Sequence, residues 1–290
     1  MYLKALYFLR YISDIPLRLI LFFSRVYLFI IRFCDYKNYS KKWEEELQSF
    51  IDLSISRKIN IGKKKFIRFY CPNTITSFRA KTFFSKEPET LEWMNSYGGK
   101  NKILYDIGAN VGLYSIYYSK KFSAETYAFE PSFKNLEIFT RNIRLNNLYK
   151  LVNVIPNAAT KEQKISNFFQ LNYFAGNAGA TFGDKLVEKN LKSIVVKKFL
   201  PIKYKTLGIS LDHLINHKII KKPDLIKIDV DGNEFEVILG LKKFLQKKIK
   251  ISILIEIDSR LKSSKLVHSL LKKLNFKLSH NKNDNFIYSK

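Results

Sequence analysis

From residue 102 onward, short runs of β-branched and aromatic residues alternate with longer stretches of helical spacing. The runs at 103–107, 125–130, 151–155, 225–230 and 250–257 are apolar on successive positions, which predicts strands covered on both faces. Helices are predicted over about 111–121, 132–146, 234–245 and 261–274, and runs near 275–280 and 285–289 read as a closing antiparallel pair. Strand and helix in alternation predict an α/β domain with a mostly parallel sheet and helices on both sides. Residues 160–223 break the rhythm and read as an insertion holding a hairpin and a short helix from near Ser210. The expected domain plan is an N-terminal helical extension over 1–60, a cap and opening helix over 61–100, and the α/β domain over 101–290. Within the cap, Lys65 to Tyr70 is β-prone, and Glu87-Pro88-Glu89-Thr90 opens a helix with acids in its first turn, where the dipole favours them.

The N-terminal stretch 17–33, LRLILFFSRVYLFIIRF, raises the question of a membrane span. Seventeen helical residues reach roughly 25 Å against a hydrocarbon core of about 30 Å. Arg25 near its middle would cost about 2.5–3.5 kcal/mol. A simple span is therefore not expected, and the interrupted apolar run with no small-residue cleavage site argues against a signal peptide. Arg18, Arg25 and Arg32 recur every seven residues, forming a basic stripe opposite Ile20, Leu21, Phe23, Leu28 and Ile31 after a start at Pro16. That pattern predicts an interfacial helix over 16–33 on an anionic membrane surface, with docking on its own domain or in a dimer as the alternative.

Composition adds little to this picture. The formal charge of +26 favours anionic partners, but the lysines are spread along the chain and the residues an AT-rich genome over-supplies are all abundant. No compact basic run interleaved with aromatics, zinc knuckle or RNP-like motif points to nucleic acid. Cys34 and Cys71 are far apart and form no CxxC, so neither a disulfide framework nor a structural zinc site is expected. A reducing, cytoplasmic setting fits, peripheral to the inner face of a membrane if the N-terminal helix binds there.

Three motifs carry candidate chemistry. The first, Ile103 to Gly112 (ILYDIGANVG), is a buried strand running into a glycine turn and a helix. Gly108 permits the tight turn, Asn110 tolerates positive φ, and Gly112 lets the helix start close to the strand. The second is Glu130, at the end of the next strand and 24 positions after Asp106, where a carboxylate can accept both hydroxyls of a ribose; capping the following helix is the alternative. Together they predict a nucleoside-cofactor site. The turn lacks the G-x-G-x-x-G donor array suited to a pyrophosphate, which favours S-adenosylmethionine over NAD. The third is Lys227-Ile-Asp229-Val-Asp231-Gly-Asn-Glu234, where strand alternation puts Lys227, Asp229 and Asp231 on one side. Charges on a buried strand are costly unless they work or pair, so a site role is expected, with a buried ion pair as the alternative. Glu256 ends the following strand on the same rim.

These residues resemble the FkbM methyltransferases. The resemblance runs in order over roughly 79–280: Glu87-Pro-Glu-Thr and Trp93, Asp106 to Gly112, Glu130-Pro131, Asn142, Asn157-Ala158-Ala159, Thr206-Leu207, Leu211-Asp212, Lys227 to Glu234, Leu239-Gly240 and Glu256. Asp231 departs from it, standing where the family usually has Glu. The resemblance implies a Rossmann-like class I fold with a seven-stranded, mostly parallel sheet, and methyl transfer from S-adenosylmethionine, typically to oxygen on glycans or specialised metabolites. It further implies that Asp106, Gly108, Asn110 and Glu130 hold the cofactor, with Asn157 or Ala158 near the adenine.

On this reading Asp229 or Asp231 takes the acceptor's proton, Lys227 keeps the carboxylates ionised, Glu234 and Glu256 face the acceptor, with anchoring a loop as the alternative for Glu256, and Gly112 belongs to the cofactor turn. The same acids could hold Mg²⁺, the less favoured alternative. His213 and His217, four apart on one expected helix, are read as surface residues rather than metal ligands, and His268 and His280 suggest no role. Two rival functions are a membrane-associated binding module that has kept only the fold, and a nucleic-acid methyltransferase; the second lacks an Asn-Pro-Pro-Tyr-type motif. Neither the acceptor nor the oligomeric state is encoded in a readable way.

Overall fold

A computed structural model describes residues 40–62, 64–171, 173–185, 201–261, 263–282 and 284–290, with positions 19, 22, 23, 25 and 26 ahead of them. The chain divides into two compact units, Met1–Ser54 and Ile55–Lys290. In the first, helix α1 (Ser40–Ser54) carries a hydrogen bond from Gln48 Nε2 to Asp52 Oδ1 of 2.7 Å. The expected interfacial helix over 16–33 lies for the most part outside the described residues. Among the described residues, no helix is long and apolar enough to cross a membrane.

The second unit opens with an antiparallel pair, β1 (Ser56–Gly62) and β2 (Lys65–Tyr70). The cap thus starts at β1, five residues ahead of the expected limit at 61, because β1 has its hydrogen-bonding partner in β2. Helices α2 (Thr74–Lys81) and α3 (Pro88–Tyr97) complete it. A capping box between Asn73 and Thr76 starts α2, and Pro88 sits in the first turn of α3, where its missing N–H costs nothing.

The α/β core follows the expected alternation: β3 (Leu104–Ile107), α4 (Leu113–Phe122), β4 (Thr126–Phe129), α5 (Phe133–Asn146) and β5 (Val152–Ile155). After the insertion come β10 (Leu225–Ile228), α7 (Glu234–Gly240), α8 (Lys242–Leu245), β11 (Ser252–Glu256), α9 (Ser263–Lys273), β12 (Lys277–Lys282) and β13 (Asn285–Ser289). The sheet order is β12-β13-β11-β10-β3-β4-β5; the five strands from β11 to β5 are parallel, and β13 and β12 close the edge antiparallel. This is the expected α/β architecture, a mostly parallel, seven-stranded Rossmann-like sheet with helices on both faces. The parallel strands β3, β4 and β10 are buried throughout, which is why their sequences are apolar at nearly every position.

Two apolar clusters cover the two faces. One joins Leu104, Trp93, Ile116 and Phe139; the other joins Tyr105, Ile107, Ile228, Val237 and Leu241. Trp93 is fully buried on α3, and its Nε1 donates to Ser252 Oγ of β11 at 2.8 Å, pinning the cap to the sheet. Trp93→Phe removes that donor and leaves a void, so it is expected to cost about 1–3 kcal/mol. Urea unfolding reads this directly, and an unchanged midpoint would refute it.

The insertion is more ordered than its sequence suggested. Strands β6 (Ala158–Ala159), β7 (Lys164–Gln170), β8 (Ala180–Phe182) and β9 (Ile202–Ile209) form a second sheet in the order β6-β9-β7-β8. The expected hairpin is the β7–β8 pair, and β9 adds antiparallel to the other side of β7. The expected short helix is α6 (Leu211–Asn216), with Ser210 at its N-cap position.

Candidate functional site

The chain runs from β3 outward through β4 to β5 and then returns to place β10 on the other side of β3. The carboxyl ends of β3 and β10 therefore form the topological switch point, where open parallel sheets leave a crevice. A cleft partly open to solvent occupies that place.

The glycine turn forms its floor. Gly108 has φ of +81°, and a Cβ there would lie 1.8 Å from the Asp229 carbonyl oxygen, so the backbone of β10 closes the space a side chain would need. The N–H groups of Gly108 and Ala109 both donate to the Phe129 carbonyl, at 2.9 and 3.0 Å. Asn110 has φ of +53°, and its N–H donates to Glu130 Oε2 at 2.7 Å. Gly112 also has positive φ, but it lies against Phe139, 2.1 Å from where its Cβ would be, and serves packing behind the turn.

Glu130 follows β4 and is 4% exposed. Besides the Asn110 bond, its Oε1 accepts from the Ser132 N–H at 2.8 Å. Burial outweighs these bonds and pushes its carboxyl up to about 7. The helix after it is capped by Ser132 Oγ, which accepts from the Asn135 N–H, so capping α5 is the work of the serine. Pro131, Asn157, Ala158, Phe168 and Phe182 extend this end of the cavity.

Register places Lys227 of β10 beside Asp106 of β3, on the face that α3 and α4 cover. Lys227 is 2% exposed, and its Nζ donates to Asp229 Oδ2 at 3.0 Å. Burial alone would lower its pKa, yet the surrounding acids Asp229, Asp106 and Glu87 hold it above the usual lysine range. Burial would likewise raise Asp229, but Lys227 keeps that carboxyl below its ordinary value. Asp106 accepts from Ser115 Oγ at 2.6 Å through Oδ2, while its buried Oδ1 has no partner. Desolvation pushes Asp106 up against the pull of Lys227 and Ser115. Glu87, just ahead of α3, accepts from the Tyr114 hydroxyl at 2.8 Å and from Lys86 Nζ at 2.7 Å.

Of the remaining sequence-derived candidates, Asp231 and Glu256 line the cavity. Asp231 sits in a left-handed turn, φ +52°, and its Oδ2 accepts from the Gly179 N–H at 2.7 Å. Glu256 ends β11; repulsion from Asp229, then burial, pushes its carboxyl up to about 8. Glu234 does not reach the cavity wall: it is 4% exposed and folds back to accept from the Gly232 N–H at 2.8 Å. That bond holds the turn between β10 and α7. Asp106, Gly112 and Lys227 support the wall from behind.

Sequence reasoning missed Arg79, Lys86, Asn135 and the aromatic pair Phe168 and Phe182, all on the cavity wall. It also missed a loop that spans the cavity. Asn73 Nδ2 and Arg79 Nε donate to the carbonyls of Ala175 and Gly176, the Gly176 N–H donates to Asn135 Oδ1, and Asn110 Nδ2 donates to the Asn177 carbonyl. The Gly179–Asp231 bond completes the series. Among the described residues, no group of three or more acids, histidines or cysteines converges as a metal site. His213 and His217 are exposed with ring centroids 4.3 Å apart.

Residues 106–278, well over half of the chain, match the family described as the Methyltransferase FkbM domain. The chain belongs to the FkbM methyltransferase family. Among its curated relatives is methyltransferase sdnD of Sordaria araneosa, 27% identical over 163 residues that cover 49% of this chain and 61% of the relative. Another is the hexuronic acid methyltransferase AglP of Haloferax volcanii, 22% identical over 163 residues covering 55% of this chain and 58% of that protein. The chain thus spans about six-tenths of the length of the curated relatives it matches. Solved structures overlap it loosely. Magnesium protoporphyrin IX methyltransferase of Synechocystis, solved with bound S-adenosylmethionine, has a TM-score of 0.42 at 10% identity, covering 76% of this chain and 84% of its own. The precorrin-6y C5,15-methyltransferase of Geobacter metallireducens has 0.41 at 11%, covering 71% and 89%. The FkbM assignment therefore rests on the family match, with the strand order defining the fold.

Proposed function

We propose that this chain transfers a methyl group from S-adenosylmethionine to a hydroxyl oxygen, on a glycan or a specialised metabolite. The observation that carries this reading is the buried Glu130 carboxylate beside the Gly108 turn at the switch point of an FkbM-family sheet. A carboxylate has about four acceptor sites, and the two backbone donors leave room for ribose hydroxyls. Asn157, Ala158, Phe168 and Phe182 line the same end of the cavity, and their aromatic and apolar surface suits an adenine.

The charge balance also fits a ligand that ends in an amino acid. Asp229 lines the cavity, and Asp106 and Glu87 add negative charge behind it around the buried cation Lys227. Such an acid excess attracts an ammonium group, while Arg79 and Lys86 on the cap side suit an α-carboxylate. Bound there, S-adenosylmethionine supplies an electrophilic methyl group on sulfur. The chain's own contribution is then positioning: the turn, Glu130 and the cap fix one reactant, leaving the β10–β11 end for the acceptor. The relative described as a hexuronic acid methyltransferase supports a carbohydrate acceptor.

Calorimetric titration with S-adenosylmethionine tests the reading, with NADH as the control. Glu130→Ala is expected to weaken S-adenosylmethionine at least about tenfold, the size of one hydrogen bond to a charged group. Wild-type affinity should rise as pH passes through about 7 and Glu130 ionises to accept the hydroxyls. No binding by the wild type, or preferential binding of NADH, would overturn the proposal.

A further inference from the structure

Four carboxylates line the cavity, and three of them are engaged. Glu130 accepts from two backbone N–H groups, Asp229 is paired with Lys227, and Asp231 accepts from the Gly179 N–H. Among the described residues, none hydrogen-bonds or pairs with the carboxylate of Glu256. Register pairs Ile255 with Ile228, so Glu256 is level with Asp229, and in parallel strands the two side chains point to the same side of the sheet. Two strand spacings, roughly 10 Å, separate β11 from β3 and its glycine turn. Glu256 thus stands at the end of the cavity away from Glu130, where the preceding proposal leaves space for the acceptor.

We propose that Glu256 is the general base of the reaction, taking the proton from the acceptor hydroxyl. The inference rests on the methyltransferase reading and moves the base from Asp229 and Asp231. In the step, the oxygen–carbon bond forms as the carbon–sulfur bond breaks, the bonding pair stays on sulfur, and the hydroxyl proton passes to Glu256 Oε. Glu256 then returns that proton to solvent through the open side of the cavity.

Chemistry agrees with the geometry. Asp229 is held low by Lys227 and binds a proton weakly, whereas repulsion from Asp229, with burial, Glu87 and Asp231 adding to it and Lys227 opposing, raises the proton affinity of Glu256 to about 8. A base titrating near the working pH combines availability with driving force. Arg79 and Lys86, also on the wall, pull Asp229 down further and widen the difference between the two acids.

The test uses the full chain and Glu256→Gln, with two readouts. The first is the proton count on binding S-adenosylmethionine, measured calorimetrically at pH 7.5 in phosphate and in Tris. A positive sulfur placed near Glu256 lowers its proton affinity, so the wild type is expected to release about half a proton more than Glu256→Gln, with affinities within about threefold. The second is methyl transfer to p-nitrophenyl β-D-glucuronide, with a loss of about 10²–10⁴-fold in kcat for Glu256→Gln and disappearance of the rise in rate toward pH 8. Equal proton counts in the two proteins, or equal kcat on the glucuronide, would overturn the assignment of Glu256. Failure of the wild type to bind S-adenosylmethionine would instead sink the methyltransferase reading on which it rests.

Discussion

Lys227→Met is expected to destabilise the protein by about 3–5 kcal/mol at neutral pH, with a deficit that shrinks in acid. Lys227 is the one buried cation among Asp106, Asp229 and Glu87, and the substitution leaves their charges uncompensated in a dry site. The sign with pH follows from the direction of each shift. In the wild type, Glu87 and Asp229 are held below their ordinary values, so their contribution is present above the unfolded values near 4 and is lost as pH falls through the lower folded ones. Without Lys227 all three acids are pushed up by burial, and their contribution is then present below about 4 and lost as pH rises. Wild type and variant should therefore differ most near pH 8 and least near pH 5. Urea unfolding at the two pH values measures this, and a deficit independent of pH would show that the acids do not depend on Lys227.

Gly108→Ala should be nearly as damaging, and by a steric route. The residue holds φ at +81°, which costs a non-glycine roughly 1–2 kcal/mol, and its new methyl would meet the Asp229 carbonyl at 1.8 Å. Overpacking adds about 1–3 kcal/mol as β10 and the turn move apart. At about 2–4 °C per kcal/mol for a domain of this size, melting should fall by roughly 4–20 °C. S-adenosylmethionine binding should be lost with it, because the shift displaces Asn110 from Glu130. A variant that melts like the wild type and binds equally well would mean that the β3 turn and β10 are not in contact.

The parts of the fold that were legible in the sequence are those where local pattern and tertiary burial agree. Strands such as LYDI and LIKI are apolar on both faces because helices cover both, and few other structures accommodate that composition. Lys227 stood out for the same reason, as a charge on a strand with no solvent face. Legibility failed where partners are distant in the chain. Strand β6 is two residues long and exists only through its pairing with β9, some 50 positions later. Arg79 looks like an ordinary polar residue near a helix end until the cap folds over the cavity. Glu87 invited a reading as a helix-dipole acid, whereas it is tied to Tyr114 and lies in the field of Lys227. Glu234 accepts from the Gly232 N–H, a local bond that the sequence alone did not reveal.

The loop Ala175–Gly179 is fastened to Asn73, Arg79, Asn135, Asn110 and Asp231, and each of these five ties uses one of its main-chain atoms. Outside Gly176 and Gly179, whose φ is positive, its side chains are thereby released from the duty of holding it in place. A substitution at Ala178, which lines the cavity, can then alter the wall while the path of the chain stays constant. Chimeras that exchange the whole segment need a matching set of five anchors in the recipient.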